Sequence, residues 1–201
     1  MKFIYLFVLM MIQSPISYAT SDTEIDFTEN FQLGSKKDGY EEIGVINGVN
    51  YHIKYNGTGI FAGGKDNEIY GSGYDFRQNW RVLCTKDAIT DDKKCTLLKP
   101  DISITTYPDG KYLLGVGYKH FPGSEVFLRI DDEASISTSS SNGGIFDFNT
   151  SNILVEKMKA AKKITTRYTE WPYQKNIDKS SNMFGFNEAL QYMLWAVKRI
   201  K

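Results

Sequence analysis

The chain has 201 residues, and its 24 basic side chains equal its 24 acidic ones in number. This balance leaves no net charge to attract nucleic acid or an anionic membrane, so neither is expected as a partner. Aromatic residues form 14% of the chain, with 13 Tyr and 12 Phe, a composition that is typical of β-strands and unlike that of disordered chains.

The N-terminus has the pattern of a secretory signal peptide. A positive start at Met1-Lys2 precedes an apolar run over residues 3–12, and small residues at Ser17 and Ala19 match a cleavage site. This pattern predicts removal of residues 1–19. The apolar run is about 10 residues long, shorter than the ~20 that a transmembrane helix needs. No second long apolar run follows, so we expect one mature domain without a transmembrane segment, periplasmic or secreted.

Residues 20–78 are predicted to form an N-terminal arm, a hairpin and loops rich in Gly and Tyr. Asn47-Gly48 lies between two apolar-rich runs and predicts a two-residue β-hairpin turn, because both residues tolerate positive φ. The alternation after this turn places His52 on the face of Ile43 and Val45, where a structural role is favoured over a catalytic one. The tyrosines of this region are the candidate binding surface, with packing against the sheet as an equal alternative: Tyr51, Tyr55, Tyr70 and Tyr74.

Cys84 and Cys95 are the only cysteines, and in an exported chain they are expected to form a disulfide. A nucleophilic cysteine or a zinc site is the weaker alternative, because only two histidines are present to act as a base or as further ligands. Residues 80–84 alternate as a strand. Residues 85–94 are predicted to be a solvated loop, since their carboxylates lack the order of a calcium loop. No metal site and no cofactor are expected.

Beyond Pro100 the sequence predicts a meander of three antiparallel strands. Alternating runs at residues 102–106, 112–121 and 126–130 are separated by Pro-Asp-Gly and Pro-Gly turns. The serine-rich segment 134–144 is predicted to be a loop. Short strands are expected on either side of the helix that follows this loop, at residues 145–148 and 164–168.

Two helices complete the predicted fold. Ser151 is expected to cap a short helix whose core side carries Ile153, Leu154 and Met158, and a wide apolar stripe predicts a helix over residues 186–200. The predicted fold is therefore β-rich α+β, with an antiparallel, sandwich-like sheet core, one short helix, a C-terminal helix and one disulfide. Residues 79–201 are assigned as its core domain, in one globular unit with residues 34–78.

The second half of the chain carries a series of short motifs. They are Trp80-x-x-x-Cys84, Asp87 and Thr90-Asp91 before Cys95, Gly117 to His120 with Pro122-Gly123, Leu128-Arg129-Ile130-Asp131, Arg167-Tyr168 with Trp171-Pro172, and Gly185-Phe186. Their order, from Trp80 to the C-terminus, resembles the invasion-associated locus B family of exported bacterial proteins. The resemblance implies a small β-rich periplasmic or surface domain linked to host-cell entry, and it supplies no catalytic residues.

Three functions follow as hypotheses. The first is an exported, non-enzymatic module that binds a protein or an envelope component. The second is an envelope hydrolase or lyase in which His120, Glu125 and Arg129 meet at a sheet edge. The third is a structural or stress-related periplasmic protein without a specific ligand.

Overall fold

The structure is a computed structural model that describes residues 41–54, 57–71 and 75–200. The predicted signal peptide, the predicted arm, Tyr55 and Tyr74 lie outside the described residues. Eleven strands, two α-helices and two short 3₁₀ turns are found in the described ranges. The elements are β1 Glu41–Ile46, β2 Val49–Lys54, β3 Gly59–Phe61, β4 Trp80–Lys86, β5 Lys93–Lys99, β6 Ile102–Thr106, β7 Tyr112–Val116, β8 Glu125–Ile130, β9 Ile136–Ser139, α1 Phe148–Ala160, β10 Lys163–Glu170, β11 Lys175–Asn182 and α2 Phe186–Arg199, with 3₁₀ turns at Asp75–Gln78 and Ser140–Asn142.

The strands form two antiparallel sheets. The first is a seven-stranded meander in chain order from β1 to β7, and the second has the order β11-β10-β8-β9. The predicted hairpin is confirmed, because Ile46 pairs with Val49 and the turn residues Asn47 and Gly48 both have positive φ. His52 pairs with Ile43, as the alternation predicts. The predicted β-rich fold with antiparallel sheets, a short helix and a C-terminal helix is confirmed.

The predicted three-strand meander is wrong in its third strand. The strands β6 and β7 do pair, but β7 ends at Val116, because Gly117 has a φ of +76° and turns the chain away. The next strand, β8, leaves the first sheet and pairs with β9 and β10. The chain therefore crosses from one sheet to the other between Gly117 and Glu125.

The helix α2 covers one face of the first sheet, where it packs against β3, β4, β5 and β6. Trp80 lies under this helix, with its ring 5.2 Å from that of Phe186 and its Nε1 donating to the Phe184 carbonyl at 2.9 Å. The predicted C-terminal helix is confirmed with bounds Phe186–Arg199. Both sheets and both helices contribute buried apolar residues to one contiguous core.

The helix α1 differs from its prediction in its cap and in its buried face. Asp147 is the N-cap and accepts from the Thr150 amide, whereas Ser151 is fully buried inside the helix. Leu154 is buried as predicted, but Ile153 is 60% exposed. The buried positions Ser151, Leu154, Val155 and Met158 follow the three-to-four-residue spacing of one helix face, and Ile153 lies outside that face.

The predicted disulfide between Cys84 and Cys95 is confirmed. The two cysteines are direct cross-strand partners of β4 and β5, so the bond joins neighbouring strands. The predicted loop 85–94 is shorter, because β4 continues to Lys86 and β5 begins at Lys93. The predicted serine-rich loop likewise contains the strand β9, and the predicted strand 145–148 is reduced to one bridge between Gly115 and Ile145.

Candidate functional site

A cleft of about 670 Å³ lies between the two sheets. Its walls come from the loop after β3, the start of β4, the turn between β5 and β6, the end of β7, and the strands β10 and β11. These segments are far apart in the chain and meet where it crosses from one sheet to the other. The volume lies in the range of cavities that hold small ligands, and the side chains that line it carry both charges and hydroxyl groups.

Lys99 is a buried cation in the wall of this cleft. Its side chain is on the inward face of β5, and the residue is only 7% exposed. Its Nζ donates to the carbonyls of Gly63 at 2.8 Å and Asn182 at 3.1 Å, and it lies 4.6 Å from the centroid of the Trp80 ring. Burial lowers the pKa of Lys99 from 10.5 to about 8. Within the described residues no carboxylate lies at ion-pair distance from this ammonium.

Asp101 lies beside Lys99 in the turn between β5 and β6. Its φ is +64°, in the left-handed region, and its Oδ1 accepts from the Tyr168 hydroxyl at 3.0 Å. The second oxygen, Oδ2, is buried and has no hydrogen-bond partner among the described residues. Burial, together with the nearby Asp101 charge, raises the pKa of Tyr168 well above its ordinary value. The Asp101 carboxylate therefore holds the Tyr168 hydroxyl at the wall of the cleft.

Gly117 permits the close packing at this end of the cleft. Its amide donates to the Asp101 carbonyl at 3.0 Å. A Cβ at this position would lie 2.6 Å from the Tyr168 ring and 2.9 Å from Nε2 of His120. Because these distances are too short for a side chain, only glycine lets Tyr168 reach Asp101 here.

The structure does not bring the predicted catalytic residues into contact with one another. His120 donates from Nε2 to the Val116 carbonyl at 2.8 Å, and its ring meets the Tyr168 ring edge-on at 5.6 Å. Glu125 and Arg129 are both exposed on β8, four residues apart and thus roughly 13 Å from one another along the strand. Arg129 borders a separate hollow on the outer face of the second sheet.

The predicted tyrosine surface is divided by the structure. Tyr51 is buried, its hydroxyl donates to Glu42 at 2.6 Å, and its ring packs on Phe61 with centroids 5.9 Å apart. Tyr70 is half-buried and its hydroxyl bonds to Asp66. Tyr51 therefore packs on the sheet, which is the alternative that the sequence left open, and Tyr70 is held by a local loop contact.

Sequence reasoning missed Lys99 and Asp101, two of the six charged residues that line the cleft. A signal for Lys99 is present, because Cys95, Leu97 and Lys99 alternate along β5 and share its buried face. A lysine in this position of an alternating strand is rarely buried without a reason. The Pro100-Asp101 pair is a turn signal, but nothing in the local sequence indicates that the Asp101 carboxylate faces a cleft.

Among the described residues no group of three His, Cys, Asp or Glu side chains is placed to bind a metal ion. In the same part of the chain, no helix combines the length and the apolar character needed to cross a membrane. Comparison with protein-family models, curated proteins and solved structures found no match to this chain.

Proposed function

We propose that the protein is an exported, non-enzymatic module of the bacterial periplasm or envelope, and that its cleft binds an acidic group of a protein or an envelope component. The observation that carries this proposal is the Lys99 ammonium, which is buried in the cleft wall and has no acidic partner among the described residues. The predicted signal peptide supports export, and a disulfide is typical of proteins in oxidising compartments.

The surroundings of Lys99 favour an anionic ligand. An ammonium group has three donors, and the carbonyls of Gly63 and Asn182 account for two of them. Taking a cation out of water is costly unless it is paired, and neutral carbonyls compensate only part of that cost. A carboxylate or phosphate that enters the cleft would complete the charge pair in a partly water-excluded site, where such contacts are stronger than in water.

Binding is a better assignment than catalysis for this cleft, because its central groups are engaged in holding the fold. Lys99 connects the loop after β3 to the end of β11, and Asp101 is held by Tyr168. A catalytic group needs freedom to exchange a proton or form a bond with substrate, whereas a binding group benefits from being fixed in advance.

Titration of the mature domain with acetate, phosphate and citrate, followed by NMR, tests this proposal. We expect saturable shifts of the amides that line the cleft, and a loss of affinity of at least about tenfold in Lys99→Met. Lys175→Met is the matched control, because Lys175 is exposed on β11 and does not line the cleft.

A second measurement does not depend on any variant. Since the pKa of Lys99 is about 8, the ammonium loses its proton above that pH, and affinity for an anion should fall as the pH rises through 8. The proposal is wrong if no anion shifts the cleft amides, or if Lys99→Met and Lys175→Met bind equally well.

A further inference from the structure

Exposed aromatic rings lie next to the cleft, on two chain segments that pair with each other. The segment after β7 and the end of β10 are joined by hydrogen bonds from Phe121 N to Thr169 O at 2.8 Å and from Trp171 N to Lys119 O at 2.7 Å. Tyr118 is 56% exposed and lines the cleft, and Trp171 is 51% exposed. Exposed aromatic residues that cluster beside a polar cleft mark an interaction site more often than isolated ones do.

Both rings are supported from one side. The Tyr118 ring lies 5.9 Å from that of Tyr168, and the Trp171 ring lies 5.5 Å from that of Phe121. Each ring is therefore held in place by another ring and still keeps about half of its surface in solvent. Tyr173, which is 76% exposed, extends the same segment. A fixed ring gives contact area at low entropic cost.

A sugar ring is the ligand whose chemistry fits both parts of this surface. One face of a pyranose ring presents C–H groups, and the negative face of an aromatic ring attracts such weakly positive hydrogens. The hydroxyl groups project from the edge of the sugar and need hydrogen-bond partners. The cleft is lined by polar residues that can supply such partners, among them Ser181 and Asn182.

We propose that the ligand of the cleft is an acidic glycan strand: a carboxylate on one sugar binds Lys99, and neighbouring sugar rings stack on Tyr118 and Trp171. This inference rests on the proposed function, since it names the class of molecule that carries the acidic group. An acidic peptide would satisfy Lys99 equally well, but its Asp and Glu side chains have no flat C–H face for the two aromatic rings.

Three probes distinguish these ligands. Hexagalacturonate carries carboxylates on sugar rings, hexaglutamate carries carboxylates without sugar rings, and monomeric galacturonate has one ring only. We expect hexagalacturonate to bind at least about tenfold more tightly than either of the other two in calorimetry. Trp171→Ala should lose about tenfold in hexagalacturonate affinity. Phe148→Ala should bind like the wild type, because Phe148 is similarly exposed, at 44%, but lies at the start of α1.

Tryptophan fluorescence gives a direct readout in the unmodified protein. Of the three tryptophans, Trp80 and Trp195 are buried and Trp171 is half exposed. A blue shift on addition of hexagalacturonate therefore reports Trp171, and Trp171→Ala should abolish it. The glycan inference is overturned, while the proposed function stands, if hexaglutamate binds as tightly as hexagalacturonate and hexagalacturonate causes no blue shift of the tryptophan emission. If neither acid binds at millimolar concentration, both are overturned.

Discussion

Lys99 connects the candidate site to the stability of the fold. Its ammonium holds the loop after β3 and the end of β11 through two carbonyls, and burial lowers its pKa to about 8. A lowered lysine pKa means that the folded chain disfavours the charged form. The unfolding free energy must therefore depend on pH in an interval that Lys99 defines.

We expect the difference in unfolding free energy between the wild type and Lys99→Met to rise between about pH 8 and pH 10.5. Across this interval an unfolded chain holds the Lys99 proton longer than the folded chain does, so the wild type gains stability with pH. The gain has an upper limit of roughly 3 kcal/mol. Urea denaturation of both proteins at a series of pH values measures it.

Ionisation of tyrosines at high pH does not obscure this comparison. The pKa values of Tyr168 and Tyr192 are raised by burial, so both proteins lose stability as the unfolded chain ionises its tyrosines above about pH 10. This loss cancels in the difference. The same experiment with Lys175→Met should give a flat difference, since Lys175 is exposed. A flat result for Lys99→Met as well would show that its ammonium is hydrated in the folded chain.

At the scale of single elements, α1 protects an edge of the first sheet. The strand β7 is the last strand of that sheet, and side chains of α1 accept from its backbone. Ser151 Oγ accepts from the Leu114 amide at 3.0 Å and donates to the Phe146 carbonyl at 3.0 Å, and Asn152 Oδ1 accepts from the Tyr112 amide at 3.2 Å. Covering an edge in this way prevents pairing with another chain.

Ser151→Ala should destabilise the protein by about 1–3 kcal/mol, because it leaves the Leu114 amide without an acceptor in a buried position. Urea denaturation and hydrogen exchange of the Leu114 amide measure the effect. Ser137→Ala, on the exposed strand β9, is the matched control and should change stability by less than about 0.5 kcal/mol. Equal effects of the two substitutions would contradict the role assigned to Ser151.

The elements that were predicted correctly have a clear local signal in the sequence, such as a turn pair or an apolar stripe, and the strand that was missed has none. The Asn47-Gly48 hairpin and α2 carry local signals, a turn pair and a wide apolar stripe, and both are confirmed. The strand Lys175–Asn182 was missed because all of its side chains except Ile177 are polar. Among the described strands it lies at the edge of its sheet and pairs with β10 alone, so it needs no buried face. A strand without alternation gives no periodic signal.

At the scale of the whole molecule, the cleft could not be predicted because its geometry depends on how two sheets meet. The individual residues are visible in the sequence, but Lys99 reaches the carbonyl of Asn182, 83 positions away. Tyr168 likewise reaches Asp101 over 67 positions. Such contacts follow from the crossing of the chain between sheets, for which Gly117 gives one local signal. The predicted site combined residues that are close in the sequence, such as His120 and Glu125. Such a search could not find a cleft whose contacts join residues far apart in the chain.

Export and the disulfide make one joint prediction for the intact protein. When the full chain is produced with its own N-terminus in a bacterium, the mature protein should begin at Thr20 and contain no free thiol after denaturation without reductant. Closing the loop between Cys84 and Cys95 restricts the unfolded chain, so Cys84→Ser with Cys95→Ser should lower the unfolding free energy by roughly 3 kcal/mol. Intact-mass spectrometry, thiol titration and urea denaturation measure the three quantities.

Because neither cysteine lines the cleft, anion binding should survive in the folded double variant. Two free thiols, or a mature mass that still includes residues 1–19, would contradict export to an oxidising compartment.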